Sequence, residues 1–431
     1  MSVKNRLMPY AAQLLTSQRL NRLRERLSSA IATMRGQGHS ATFYFRVDDP
    51  YSWLLAQQLG SLSRDTGLQI RPRTMLHLPR EMYPEPAMHA SYSVKDAHYA
   101  AALHGLQFTG SAPPTHSNAF AASRILLAHE QDPGYLSLAQ TLCRHLWSGD
   151  IDAMHSLGTQ TDVMAEKAAR KELEARRDSF LSEGHYLTGT LHYGGSWYWG
   201  PDRLDYLRDR LARDRGQSAS QRHDWRSLKL TRPPRRTQGK KLEFFFSFRS
   251  PYSYLAVSRA AKLARHYQLD LSIRPVLPMV MRGLSVPPAK RFYILKDAAR
   301  EARRLGIPFG KICDPVGAGV ERCMAIWPLA EKEGKLLRFI EVASQAIWSR
   351  GVCVASDSGL KSVLREAGLS WSAAQQALAD DGWVAHAQAN RDEMMAAGSW
   401  GVPTFRLDGV TVWGQDRLPI IEKLLLQEIT S

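Results

Sequence analysis

No C-x-x-C pair occurs in this chain, although it is 431 residues long and holds four cysteines, Cys143, Cys313, Cys323 and Cys353. So few scattered thiols make no disulfide framework, and a reducing compartment, the cytoplasm, is the expected setting. Also missing is any apolar run approaching the roughly 18 residues that a membrane helix needs. No H-E-x-x-H pattern, paired-cysteine metal spacing or glycine-rich phosphate loop is present, so no metal is expected. The histidines are scattered and read as structural or surface groups. The opening MSVKNRLMPYAAQLLTSQRLNRLRERL lacks an uninterrupted apolar core and a small-residue cleavage site, so it does not read as a secretory signal.

What the sequence does hold is positive charge. The formal net charge is +16, while 44% of residues are hydrophobic and 23% charged, close to soluble-globular averages. The length suits two or three domains. An excess of this sign favours acidic partners, which could be nucleic acid, anionic lipid or small carboxylate ligands. Much of it sits in the Arg-rich opening helix, residues 1–38, and in 231-TRPPRRTQGKK-241. That second stretch carries two prolines and no acidic residue, and it reads as a solvated linker within 216–241 rather than a nucleic-acid patch.

The chain repeats itself. Around residue 50 it reads 43-FYFRVDDPYSWLLA-56 and around residue 251 it reads 244-FFFSFRSPYSYLA-256, with Pro50 and Pro251 lying 201 positions apart. The same offset carries 95-KDAHYAAALHGLQF-108 onto 296-KDAAREARRLGIPF-309, and Trp147-Ser148 onto Trp348-Ser349. Near the ends, 199-WGPDRLDYL-207 matches 413-WGQDRLPII-421 at an offset of 214, which implies an insertion in the second copy. Two copies of one fold are therefore expected, over residues 39–215 and 242–431.

The second copy is the clearer. Leu242 to Phe248 is a nearly continuous apolar run of strand length, as expected of a strand buried on both faces. Ser250 before Pro251 has the form of an N-cap with proline at the first helical position, and Leu255, Ala256, Ala260 and Leu263 follow at helical spacing. A second strand is expected over 271-LSIRPVL-277, then helices to about residue 398. Short strands at 404-TFRLD-408 and 410-VTVWG-414 flank a turn at Asp408-Gly409, and a last helix covers 416–429. The expected class is α/β: two tandem thioredoxin-like domains, each a βαβ…ββα frame with a helical insertion.

Four motifs in this order and spacing carry a resemblance: F-x-F-R-S-P-Y-S-Y-L at the first helix, R-P-V-L at 274–277, G-V-P-T-F at 401–405 and W-G-Q-D-R-L at 413–418. The second copy resembles the DsbA-like thioredoxin superfamily, in its 2-hydroxychromene-2-carboxylate isomerase and kappa-class glutathione transferase branch. Redox members of the superfamily begin the first helix with C-x-x-C, where the helix dipole lowers a thiol pKa. Here that stretch is S-P-Y-S. Ser250 and Ser253 form no disulfide, so dithiol oxidoreductase chemistry at this place is excluded.

The resemblance implies a small-molecule thiol, glutathione, as cosubstrate, with Ser250 as the catalytic residue that hydrogen-bonds its sulfur. It implies that Pro403 is a cis-proline and that Val402 pairs with the cysteinyl backbone of the ligand. It also places Asp416 toward the γ-glutamyl amino group, with Gln415, Tyr252 and Lys290 as further ligand contacts. The substrate it implies is an electrophilic aromatic acid, and an oligomer is possible. From the residues alone Ser250 can be simply a cap, Pro403 an ordinary strand-start proline and Asp416 a cap or dipole partner of the last helix. One departure stands out: 278-PMVMRGLSVPPAK-290 has no asparagine, where kappa-class transferases carry a ligand-binding one. Arg282, Lys290 and Arg291 supply positive charge there, as a solvated helix face also would. The first copy departs further, with Asp49 in place of Ser250 and Gly189 in place of Pro403. A carboxylate beside a nascent thiolate raises a thiol pKa, so residues 39–215 read as a degenerate scaffold. A non-catalytic binding or scaffolding protein is the alternative reading of the whole.

Overall fold

The computed structural model describes residues 3–34, 36, 38–76, 78, 82–218, 225–284 and 286–429. The chain divides into two compact bodies, one of residues 22–225 with 287–290, the other of residues 1–21, 226–286 and 291–431. The opening segment forms two helices rather than one, α1 (Val3–Thr16) and α2 (Gln18–Met34). Ser17 separates them, and its Oγ lies 3.5 Å from Leu20 N at the start of α2. The boundary between the bodies falls within α2.

In the first body the order is β1 (Ser40–Arg46), α3 (Pro50–Thr66), β2 (Gln69–Met75), then five helices, α4 (Pro86–His104), α5 (His116–Ala128), α6 (Tyr135–Ser148), α7 (Ile151–Gln160) and α8 (Glu166–Ser182). The chain then returns through β3 (Thr190–Tyr193), β4 (Ser196–Trp199) and α9 (Leu204–Asp214). The sheet runs β2-β1-β3-β4, with β1 parallel to β2 and antiparallel to β3. Phe43 and Phe45 of β1 and Leu54, Leu55 and Leu59 of α3 are fully buried in one continuous core.

The second body repeats that plan. Its elements are β5 (Lys241–Phe246), α10 (Pro251–Tyr267), β6 (Asp270–Pro275), α11 (Pro288–Leu305), α12 (Ala318–Lys332), α13 (Leu336–Trp348), α14 (Asp357–Ala367), α15 (Trp371–Leu378), α16 (Trp383–Ala396), β7 (Thr404–Leu407), β8 (Val410–Trp413) and α17 (Leu418–Leu426). The strand order β6-β5-β7-β8 is that of the first sheet. The apolar run at 242–248 becomes the central strand because it has a neighbour on each side, β6 parallel and β7 antiparallel, and all of Leu242 to Phe246 is buried. The single charge in that run, Glu243, is tolerated because Arg406 faces it directly across β7 and Arg274 of β6 reaches it at 2.7 Å.

The two bodies share details that the sequence offset anticipates. Trp147 Nε1 donates to the Val47 carbonyl at 3.0 Å, and Trp348 Nε1 donates to the Phe248 carbonyl at 3.1 Å. Tyr51 Oη donates to Asp96, and Tyr252 Oη to Asp297, each at 2.8 Å. In both cases a polar tip at a helix edge is satisfied by a fixed partner, so the apolar body can be buried without leaving a donor unpaired.

The stretch expected as a linker is less free than its composition suggests. Residues 219–224 lie outside the described residues, but Trp225 and Arg226 are buried, and the Lys229 and Leu230 N–H groups donate to the Glu422 carboxylate at 2.7 and 2.6 Å. Thr237 is buried and donates to the Tyr267 carbonyl at 3.0 Å. A backbone segment held to a folded surface needs such partners for its polar groups. Arg232, Arg235 and Arg236 remain exposed.

Candidate functional site

The site forms where the start of α10 meets the turn before β7. Ser250 has extended backbone angles (φ −101°, ψ 114°), and its Oγ accepts the Ser253 N–H at 3.1 Å, so it caps α10. Pro251 follows at the first helical position, where its missing N–H leaves nothing unsatisfied. The Ser250 hydroxyl also donates to the Val402 carbonyl at 3.3 Å. That is long for an O–H···O bond, whose usual length is about 2.7–2.8 Å. Val402–Pro403 is a cis peptide, and the Pro403 carbonyl accepts the Gly414 N–H at 2.9 Å, which ties this turn to the end of β8. Ser250, Val402 and Pro403 thus come together although 152 positions separate the serine from the valine.

The other residues singled out in the sequence lie as follows. Tyr252 is half-buried with its hydroxyl on Asp297, itself paired with Arg300 at 2.6 Å. Gln415 is buried inside the body: its Oε1 accepts from Arg259 at 2.7 Å and its Nε2 donates to Glu301 at 2.8 Å. Asp416 occupies the same short 3₁₀ turn, Gln415–Arg417, and is largely buried with Arg417 3.9 Å away. Lys290 groups with the first body, where its Nζ donates to the Met82 carbonyl at 3.1 Å and lies 5.6 Å from the centre of the Tyr186 ring. Burial pushes the Lys290 ammonium down to about 8. Arg282 donates to the Trp400 carbonyl at 3.0 Å, close in sequence to the cis-proline turn.

Sequence reasoning passed over Arg249, which directly precedes Ser250. Its guanidinium makes a forked pair with Asp314, at 2.7 and 2.8 Å. Nothing in the local pattern around either residue announces the other, because 65 positions lie between them.

The corresponding place in the first body is closed. Asp49 caps α3, accepting from Tyr51 N at 3.2 Å, Ser52 Oγ at 2.8 Å and Thr188 Oγ1 at 2.9 Å. Burial drives its carboxyl pKa up, against the opposing charge of Arg46 and the hydroxyl hydrogen bonds. Gly189 takes the place of Pro403 with φ +64°, and a Cβ there would come within 2.8 Å of Ser52 N and 3.0 Å of the Asp49 carboxylate. The cap is present, and both carboxyl oxygens are taken up as acceptors, Oδ1 by the Tyr51 N–H and Oδ2 by the Ser52 and Thr188 hydroxyls.

A mixed four-stranded sheet, a helix beginning directly after the central strand and a cis-proline leading into the third strand define a thioredoxin-like domain. Residues 241–426 match the family model of the DSBA-like thioredoxin domain, so the second body contains a DsbA-like thioredoxin domain. Among proteins of known name, 2-hydroxychromene-2-carboxylate isomerase of Pseudomonas putida is 27% identical over 192 residues, covering 43% of this chain and 93% of the relative. The protein of that name from Sphingobium xenophagum is 24% identical over 197 residues, covering 43% of this chain and 98% of the relative. A solved 2-hydroxychromene-2-carboxylate isomerase is 25% identical, with a TM-score of 0.39, covering 44% of this chain and 95% of that one.

No described helix is long and apolar enough to cross a membrane.

Proposed function

We propose that the second body is a glutathione-dependent isomerase or transferase of the 2-hydroxychromene-2-carboxylate isomerase type, in which Ser250 stabilises the thiolate of the bound cosubstrate. The observation that carries this reading is the division of labour at Ser250 Oγ. Its lone pair is committed to the Ser253 N–H, while its hydrogen rests on the Val402 carbonyl through a long bond. Capping uses the oxygen and thiolate binding uses the hydrogen, so the two roles do not compete. A guest sulfur in front of α10 would draw the hydroxyl off Val402, leaving the Val402 backbone to pair with the cysteinyl part of the ligand.

The energies suffice. A hydrogen bond to a charged group contributes about 1.5–3 kcal/mol and a helix N-terminus about 0.3–1 kcal/mol. At about 1.4 kcal/mol per pKa unit, a thiol of pKa near 8.5 falls to roughly 7 or below. The thiolate then adds to a conjugated carbon of an electrophilic aromatic acid, rotation follows about the former double bond, and the thiolate leaves again. The covalent chemistry belongs to the cosubstrate, while the protein positions and activates it.

Calorimetry with glutathione, followed by titration of the bound thiol by its thiolate absorbance, tests the reading. Binding with a lowered thiol pKa is expected. A protein that takes up no glutathione and gains no thermal stability from it would instead be the non-catalytic scaffold.

A further inference from the structure

A second pair of sulfur groups lies in the same body, outside the S-P-Y-S stretch. Lys311 and Arg350 form a parallel bridge that draws two irregular segments side by side. Gly310 N donates to the Trp348 carbonyl at 2.9 Å and Cys313 N to the Ile347 carbonyl at 3.1 Å. Just beyond the bridge, the Cys353 carbonyl accepts from Ser356 N at 3.1 Å and Ser356 Oγ at 2.8 Å, which fixes it to the start of α14. With both backbones pinned, the thiols of Cys313 and Cys353 lie in hydrogen-bonding contact. Both are reduced; Cys313 is only 2% exposed, whereas Cys353 is half-buried and reachable. Burial alone would make a cysteine a small hydrophobe. Two touching thiols, one shielded and one accessible, are an oxidisable dithiol.

The next residue gives the pair a consequence. Asp314 follows Cys313, and it is the carboxylate that clamps Arg249 beside Ser250. Its backbone N–H is held in turn by Met8 Sδ of α1 at 3.4 Å. We propose that Cys313 and Cys353 are a modification site at which a low-molecular-weight disulfide forms an intramolecular disulfide, and that the change passes through Asp314 and Arg249 to Ser250. The second half rests on the thiol-binding reading of Ser250, and the first half does not.

The exchange balances. The Cys353 thiolate attacks a sulfur of the small disulfide, forming a mixed disulfide and releasing one small thiolate. Cys313 then gives up its proton and attacks the Cys353 sulfur, and the second small thiolate leaves and takes a proton. Two protein thiols are oxidised to one disulfide, and one small disulfide is reduced to two thiols. Burial, with Cys353 beside it, pushes the Cys313 thiol up to about 12. A thiol of that kind is a poor leaving group, so attack at Cys353 reopens the bond slowly and the oxidised form persists.

The test uses the full chain incubated with glutathione disulfide, alkylated, and followed by intact mass and peptide mapping. The expected product has lost two hydrogens and yields a single cross-linked peptide pair, Cys313 with Cys353. Cys313→Ser and Cys313→Ala should stop at a mixed disulfide on Cys353, and Cys353→Ser should form no covalent glutathione adduct. A native protein that forms no such link, or a Cys353→Ser variant glutathionylated as fully as Cys313→Ser, overturns the dithiol. Titrating the thiol of bound glutathione in the reduced and oxidised forms decides the coupling, which is overturned if the two curves coincide. If the reduced protein binds no glutathione at all, the reading of Ser250 falls and takes the coupling with it, while the mass measurement still decides the dithiol.

Discussion

At the residue scale the chain contains its own control. Ser250 and Asp49 cap equivalent helices, but the Ser250 hydroxyl still donates once its cap is made, whereas Asp49 accepts at both oxygens from Tyr51, Ser52 and Thr188. Ser250→Asp should therefore fold with near-parental stability and leave the bound thiol's pKa unlowered, because the cap survives and the donor does not. Ser250→Ala removes both and should lower stability by about 1 kcal/mol, the usual worth of a cap. Chemical denaturation beside thiol titration separates the two variants; an Asp variant with a fully activated thiol would remove Ser250 from the mechanism. Tyr252→Phe is the opposite case. Its hydroxyl is spent on Asp297, which keeps Arg300, so a stability loss near 1 kcal/mol is expected with the thiol pKa unchanged.

At the scale of elements, the central strand β5 carries a charge that makes the sheet sensitive to acid. Burial opposes ionisation of Glu243, but the hydrogen bond from Arg406 and the charge of Arg274 outweigh it and hold the carboxyl down to about 2. An unfolded glutamate titrates near 4.3. Because the folded value is the lower one, the stabilisation is whole above the unfolded pKa and disappears as pH falls through about 2. Melting temperatures of the parent and Glu243→Gln should differ most above pH ~5 and converge toward pH ~2; a constant gap would show that the pair is not the cause. At the β8 edge of the sheet, Gly401 lies under Trp413, whose ring a Cβ would meet at 2.8 Å. Gly401→Ala should therefore lower stability by about 1–3 kcal/mol through overpacking beside the cis-proline turn.

At the scale of the whole molecule, two bodies share one strand order but differ in the chemistry at the start of their first helix after the central strand. The second has a serine whose hydroxyl hydrogen rests, through a long bond, on the carbonyl that precedes a cis-proline; the first has a buried carboxylate sealed by Ser52 and Thr188. Titration calorimetry of the intact chain is expected to give one glutathione per chain. Uptake of two would mean that the Asp49 site opens, contrary to its closed hydrogen bonding. The first body then serves as a scaffold, which is a proposal from its geometry.

The sequence alone determined the frame. Alternation of apolar runs with proline-led helix starts, recurring in both halves, fixes the succession of strands and helices along the chain and the cap at Ser250, because these depend on neighbours within a few residues. It also carried the cis-proline turn, through the four motifs that mark the resemblance. Only the tertiary structure decided which polar groups meet: Gln415 turns inward to Arg259 and Glu301, half-buried Lys290 reaches the Met82 carbonyl, and Arg249 finds Asp314. Contacts such as these join segments far apart along the chain. Nothing in the local pattern of either partner specifies the other, so their pairing follows from packing alone.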